Sequence, residues 1–505
     1  MSAARRLSIG QATVLSMTVD ALITAATVVS VPLLVHRLGV EAYGLVGLVG
    51  VLTGQLALLQ NGTGPATTRR VAEHWGRADR DGAYEVLQAS TIIGLATALL
   101  VGAAFWWLGP WALVRSGKSS APLLSAALGA VAPGAASAAI QSLHMTPLSF
   151  LLGQQRFAVL SLLRLTHGLG RMLAALAAVG LGGGVPALLW AQVAVDAGAL
   201  AAASFATRDP GSRRVPLREI LGRVQDVARL GAPFTLMSAI MGLLGDAEKI
   251  VIAAVKTLED FTYYAIPHNA TVRLSSVTGA LAGNMVPRLA FEGTAWGDVP
   301  VAALTRRATR VALGLVSLFL CPLIAILPEL LAFWLGGEFA RHAAVPARIL
   351  LLVLLVSTAG NAANAALRAR ARPSVLALIY GVQLPLYAAL LYFMVRGWGI
   401  RGAAGAFLVR SLFDLACQRF AASRSLRARL GGLPEIGATL GSVAAFLLGC
   451  ELLGPHLGPA PRLAIGTGLG GLIAARLLSA QDWAALLDAA LPWRWVRRAS
   501  GADAT

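Results

Sequence analysis

At 505 residues the chain is long enough for two or three soluble domains, yet 57% of it is hydrophobic, only 13% is charged, and the mean hydropathy is +0.70. A soluble domain carries roughly a quarter charged residues, so a water-soluble enzyme or regulator is excluded. The formal net charge of +18 is spread over short segments between apolar blocks rather than gathered on one domain, which argues for a topological signal and against nucleic-acid binding.

The apolar blocks recur at lengths of about 18 to 25 residues, enough to cross a bilayer core as a helix. A bilayer leaves backbone amides no water, so only helices or a closed barrel can span it, and barrel strands would alternate where these blocks do not. The expected fold class is therefore all-α, a polytopic membrane protein of about fourteen transmembrane helices. In chain order the spans are predicted at 12–35, 42–60, 88–108, 121–143, 158–180, 185–206, 230–254, 261–287, 309–332, 345–365, 374–395, 402–421, 434–453 and 460–478. Arg5 and Arg6 look like the start of a signal peptide, but the first block is too long for one and carries Asp20, so that span is expected to be retained. Cys321, Cys417 and Cys450 have neither metal-ligand nor disulfide spacing and read as small core residues.

With the N-terminus inside, about 28 Lys and Arg fall in cytoplasmic segments and about 8 outside. This predicts a multi-pass protein of the cytoplasmic (inner) membrane with both termini cytoplasmic. The basic segments are 69–80, 208–229, 288–310, 368–372 and 419–429, and the tail with Trp483, Trp493, Trp495, Arg497 and Arg498 suits an interfacial anchor. No segment between spans exceeds about 30 residues, too short for a folded catalytic domain, which also weighs against a glycan polymerase or ligase.

Laid on itself at an offset of about 220, the chain repeats weakly. Residues 37–43 fall on 257–263, residues 155–160 fall near 371–376, and Asp196 and Asp414 sit late in the sixth and twelfth spans. The predicted organisation is an N-terminal six-helix bundle at 1–206, a basic cytoplasmic linker at 207–229, a C-terminal six-helix bundle at 230–421, and two additional helices with the interfacial tail at 422–505. Both bundles would start in the cytoplasm, a parallel repeat of the kind transporters use around a cavity.

The segment Val31-Pro32-Leu33-Leu34-Val35-His36-Arg37-Leu38-Gly39-Val40-Glu41-Ala42-Tyr43-Gly44 resembles the polysaccharide flippase family of the multidrug/oligosaccharidyl-lipid/polysaccharide exporter superfamily. Gly153 to Phe157, Leu230 to Pro233 with Asp246 to Lys249, Phe333 to Phe339 and Gly399 to Ala406 support the resemblance, in order along the chain. The physical roles expected for Pro32, Gly39, Tyr43 and Gly44 are structural: a helix bend and a tight turn between spans. The resemblance implies a flippase that carries a polyprenyl-diphosphate-linked oligosaccharide for polysaccharide export by alternating access. Its implied partners are that lipid-linked substrate, membrane lipids, and a polysaccharide polymerase or glycosyltransferases; a monomer is expected.

Ionisable residues at membrane depth are costly and face a cavity or a partner. Arg164, His167 and Arg171 lie at i, i+3 and i+7 of the fifth span and share a face. With Arg273, near the middle of the eighth span, and Arg410 they are the candidate substrate-binding residues, because cationic side chains bind phosphate oxygens strongly. The bland alternative is that each arginine pairs with a carboxylate only to hold helices together. Asp20 (without an obvious local partner), Asp246, Lys249 and Asp414 are the candidates for ion coupling or gating, and Arg410 with Asp414 could simply neutralise one another. Asn361 and Asn364 are predicted to bond between helices. Nothing resembles a nucleotide-binding loop, a metal site or a nucleophile–base pair, so no cofactor, no enzymatic activity and no ATP use are expected. The rival functions are a cation-coupled multidrug exporter of the same superfamily, a membrane scaffold of a glycan-synthesis complex and, third, a lipid-modifying enzyme.

Overall fold

The computed structural model describes residues 9–60, 62–116, 121–208, 217–295, 297–369, 373–453 and 456–483; residues 209–216 of the expected linker, 370–372, and Trp493, Trp495, Arg497 and Arg498 lie outside them. Every regular element among the described residues is a helix, as long apolar runs in a bilayer require. Among the described residues, eleven helical stretches are long and apolar enough to cross a membrane. The expected spans 374–395 and 402–421 both lie in one such stretch, and the expected spans 261–287 and 460–478 fall on helices outside the eleven. The protein is an all-α, multi-pass membrane protein. It divides into two compact units, Met1–Ala265 and Ile266–Thr505.

The first unit contains α1 (Ile9–Leu38), α2 (Val40–Ala57), a 3-10 turn at Leu58–Gln60, α3 (Thr63–Gly76), α4 (Arg80–Ser116), α5 (Ala121–Gly129), α6 (Val131–Gly153), α7 (Phe157–Gly180), α8 (Val185–Ala206), α9 (Leu217–Val255) and the start of α10 (Leu258–Ala295). Pro32 lies inside α1, which runs on past it. The turn between α1 and α2 is Gly39 alone, at φ 86°, a conformation that only glycine adopts freely. Gly44, expected in that turn, is instead helical: a Cβ there would come within 2.5 Å of the Leu258 carbonyl of α10, so its role is close helix approach.

Two expected segments differ from the sequence reading. The basic stretch 69–80 takes in the second half of the helix α3, which buries Ala66 and Val71 with Tyr84, Phe150 and Val227 while Arg69 stays exposed. Residues 217–229, expected as linker, form the first turns of α9, and Val227 sits in that same core.

The second unit contains the rest of α10, α11 (Asp298–Leu335), α12 (Gly337–Ala369), α13 (Pro373–Ser425), α14 (Leu433–Leu452) and α15 (Pro459–Leu477). α12 is buried nearly all round, as an Ala/Leu-rich central helix should be. α13 is broken at Gly399 (φ 60°), which joins the two expected spans directly. α15 packs on α11 through Gly466 and Gly470, where a Cβ would meet the Cys321 and Ser317 carbonyls; small residues let membrane helices approach so closely. Cys321 is buried in this packing, Cys450 is buried on α14, and all three cysteines are free thiols.

Candidate substrate and coupling sites

The basic face of α7 is divided between two neighbours. Arg164 turns to α1, where its guanidinium donates to Ser16 Oγ (3.1 Å) and pairs with Asp20 Oδ1 (2.7 Å); Asp20 thus has a partner after all, across helices. His167 and Arg171 turn the other way, to Asp196 of α8. Arg171 Nη1 lies 2.5 Å from both carboxylate oxygens, and His167 Nε2 lies 2.7 Å from Oδ1. Ser137 Oγ of α6 donates to Oδ2 at 2.9 Å, and Gln141 Nε2 donates to Ser137 Oγ at 2.7 Å and to Oδ2 at 3.4 Å. Arg171 Nη2 also donates to Gln192 Oε1 at 2.9 Å. The His144 ring stands edge-on to His167 with centroids 5.2 Å apart, and its Nε2 is buried without a partner among the described residues.

The burial is uneven. The Asp196 side chain is 1% exposed, whereas Arg171 is 28% and His167 23% exposed. A low-dielectric surrounding strengthens these hydrogen bonds and makes an unpaired carboxylate there expensive, so the donors hold Asp196 as an anion.

Also in the first unit, Asp246 and Lys249 of α9 pair one turn apart. Gln55 Nε2 of α2 donates to Asp246 Oδ2 (2.7 Å) and to the Gly242 carbonyl (3.2 Å), so the expected gating pair is fastened to a second helix. At the end of α3, Arg70 pairs with Glu73 (3.0 Å) and with Asp226 of α9 (2.8 Å), and Arg223 of α9 with Glu85 of α4 (3.1 Å).

In the second unit Arg273 is exposed on α10. Arg410 and Asp414 lie one turn apart on one face of α13. The Arg410 guanidinium lies 4.9 Å from the ring centroids of both Tyr387 and Phe407, while Asp414 accepts from Gln383 (3.1 Å) and Gln418 (2.7 Å). Asn361 bonds to Thr278 of α10 and Asn364 to Tyr380 of α13, the interhelical bonds expected of them. Arg348 of α12 pairs with Glu451 of α14, and Arg462 of α15 with Glu329 of α11. Among the described residues no group of three or more His, Cys, Asp or Glu is placed to hold a metal ion.

A family model described as "Polysaccharide biosynthesis protein" matches residues 9–290, more than half of the chain. The chain belongs to the polysaccharide biosynthesis protein family. A curated relative of this family member, named "Putative O-antigen transporter", from Shigella flexneri, is 22% identical over 188 residues, 36% of this chain and 43% of the relative, so the match spans less than half of that protein. Among solved structures, an inward-facing multidrug resistance MATE family transporter of the MOP superfamily aligns with a TM-score of 0.64 at 16% identity, covering 82% of this chain and 99% of its own. The lipid II flippase MurJ in an inward closed conformation aligns with a TM-score of 0.64 at 12% identity, covering 90% and 98%. At these identities the likeness establishes a shared fold.

The sequence singles out Arg171 and His167 as candidates but not the carboxylate they share. Asp196 stood out only as the repeat counterpart of Asp414. The signal that could have joined it to Arg171 is depth. Arg171 lies nine residues before the end of α7 at Gly180 and Asp196 eleven residues into α8 from Val185, so antiparallel neighbours carry them at similar levels. Ser137, Gln141 and Gln192 carry no such signal, because neutral polar residues on an apolar helix do not announce a partner.

Proposed function

We propose that this family member is a flippase that carries a polyprenyl-diphosphate-linked oligosaccharide from the cytoplasmic leaflet to the outer leaflet of the inner membrane for polysaccharide biosynthesis, with both termini cytoplasmic. The observation that carries the reading is the basic face of α7. Arg164, His167 and Arg171 project at membrane depth within the segment matched by the family, each with part of its side chain open. The two guanidinium cations at such depth suit an anionic headgroup, because guanidinium binds phosphate oxygens strongly. Arg273 and Arg410 are the further substrate contacts. Asp20, Asp246, Lys249 and Asp414 act in ion coupling or gating as two six-helix bundles, 1–206 and 230–421, alternate access around the site. The chain works as a transporter rather than an enzyme, as a monomer beside the glycosyltransferases or polymerase of its pathway. A multidrug exporter is the weaker alternative, because cationic drugs would be repelled by these arginines.

The test is to replace Arg171 and Arg273 singly by Ala in the producing cell and to measure surface polysaccharide at matched protein level. Loss of export in either supports the reading; undiminished export in both removes the cationic site.

A further inference from the structure

We infer that Asp196 is a stand-in anion for the ligand's diphosphate at Arg171 and His167, and that ligand binding there drives a proton onto Asp196. The inference rests on the substrate class proposed above and adds how that site is regulated.

The pair is lopsided. Arg171 and His167 reach an open edge, at 28% and 23% side-chain exposure, while the carboxylate they hold is enclosed at 1%. A ligand can therefore meet Arg171 and His167 without meeting Asp196 first. A diphosphate arriving at that edge offers the same donors more acceptor oxygens and more negative charge than one carboxylate does. As Arg171 and His167 turn to it, Asp196 keeps two neutral partners, Ser137 Oγ at 2.9 Å and Gln141 Nε2 at 3.4 Å. An ionised carboxylate, enclosed and without a cation, is the costly form, so it takes up a proton.

The proton comes from a hydronium ion of the solvent: one O–H bond of hydronium breaks and leaves water, and one O–H bond forms at Asp196 Oδ2. The Ser137 hydroxyl, which donates to the carboxylate, rotates to accept from the carboxylic acid. Gln141 Nε2, 2.7 Å from Ser137 Oγ, supports that rotated hydroxyl through its oxygen. The ionisable groups facing Asp196 are His167 and Arg171 from α7, with His144 from α6 edge-on behind His167. α5, also packed on α8, has no ionisable residue, and those in α2 are Glu41 and Tyr43 in its first turn. Arg164, the other arginine of the α7 face, is already held by Asp20.

A merely structural tie predicts the opposite sign from a stand-in anion. If Asp196 only braces α7, removing its charge loosens the site and weakens binding; if it competes with the ligand, removing its charge tightens binding. The experiment uses the purified full chain in detergent, undecaprenyl diphosphate as the probe, and a weakly buffered neutral solution with a pH indicator. Asp196→Asn is expected to bind the probe about tenfold more tightly, with about one proton fewer taken up per probe than in the wild type. Arg171→Ala is expected to bind it at least about tenfold more weakly. In the wild type, probe binding is expected to add a protonated-carboxyl band to the infrared difference spectrum, a readout that stands even if Asp196→Asn does not fold. Unchanged or weaker binding by a folded Asp196→Asn, equal proton uptake in both proteins, or a wild-type spectrum without the new band each overturn the inference while the substrate class stands. A wild type that binds no probe overturns both.

Discussion

Arg348 of α12, 3% exposed, pairs with Glu451 of α14 while its Nε donates to the Ile324 carbonyl of α11 at 3.1 Å, so one guanidinium ties three helices together. Breaking a buried pair from one side leaves an uncompensated charge, which costs more than the pair itself contributes. Arg348→Ala is expected to lower stability by about 3 kcal/mol or more. Adding Glu451→Ala should recover part of that loss. Thermal unfolding of the detergent-solubilised single and double variants measures both.

The Arg164–Asp20 pair is about half exposed, and such pairs contribute about 1 kcal/mol or less to stability. Asp20→Asn should therefore leave the unfolding temperature nearly unchanged. If the pair serves transport, surface polysaccharide falls all the same, and the swapped pair, Asp20→Arg with Arg164→Asp, restores it only where pairing alone matters.

Much of the fold was legible because its signals are local. Span length, the Gly39 turn and the interhelical Asn361 and Asn364 depend on neighbours in the chain or on a bilayer that treats all helices alike. The site was legible by half. Spacing told which residues share a helix face, Arg164 with His167 and Arg171, but not that the face is split between α1 and α8. The pairs Arg348–Glu451 and Arg462–Glu329 join residues more than a hundred positions apart, and helix periodicity has no information on which neighbour stands opposite. The helix α3 was hidden for another reason: it is mostly polar, so hydropathy registered only its charges.

Asp79 gives an acid-sensitive contribution outside the spans. It precedes α4 and accepts the Gly82 backbone N–H at 2.9 Å; that bond first, and His74 second, hold its carboxyl below the ordinary value of 3.8. A depressed carboxylate stabilises the fold above its unfolded value, and the contribution is lost as pH falls through the lower folded one. Asp79→Ala is expected to cost about 1 kcal/mol at neutral pH, as lost helix caps do. The gap between variant and wild type should start to narrow as pH falls through about 4, the unfolded value, and close only below the lower folded one, where both lack the anion. Unfolding measured across that range checks the sign.

Gly44 gives the packing prediction. A Cβ there would press on the Leu258 carbonyl and the Thr262 side chain of α10, and Thr262 Oγ1 also donates to the Val40 carbonyl of α2 at 2.9 Å. Gly44→Ala is expected to cost about 1–3 kcal/mol, the usual range for overpacking. The same change at Gly50, with open space around it, should be nearly neutral or slightly stabilising in the same assay.

Gly336, at φ 96°, is all that separates α11 from α12, and Gly399 all that separates the halves of α13. Joints of one residue have no slack to give. Extra chain spliced there must pry packed helices apart, unlike an insertion at an exposed loop tip. A fluorescent or affinity tag for following the transport cycle therefore has to be built elsewhere, and either joint is a natural place to install a side chain that jams it.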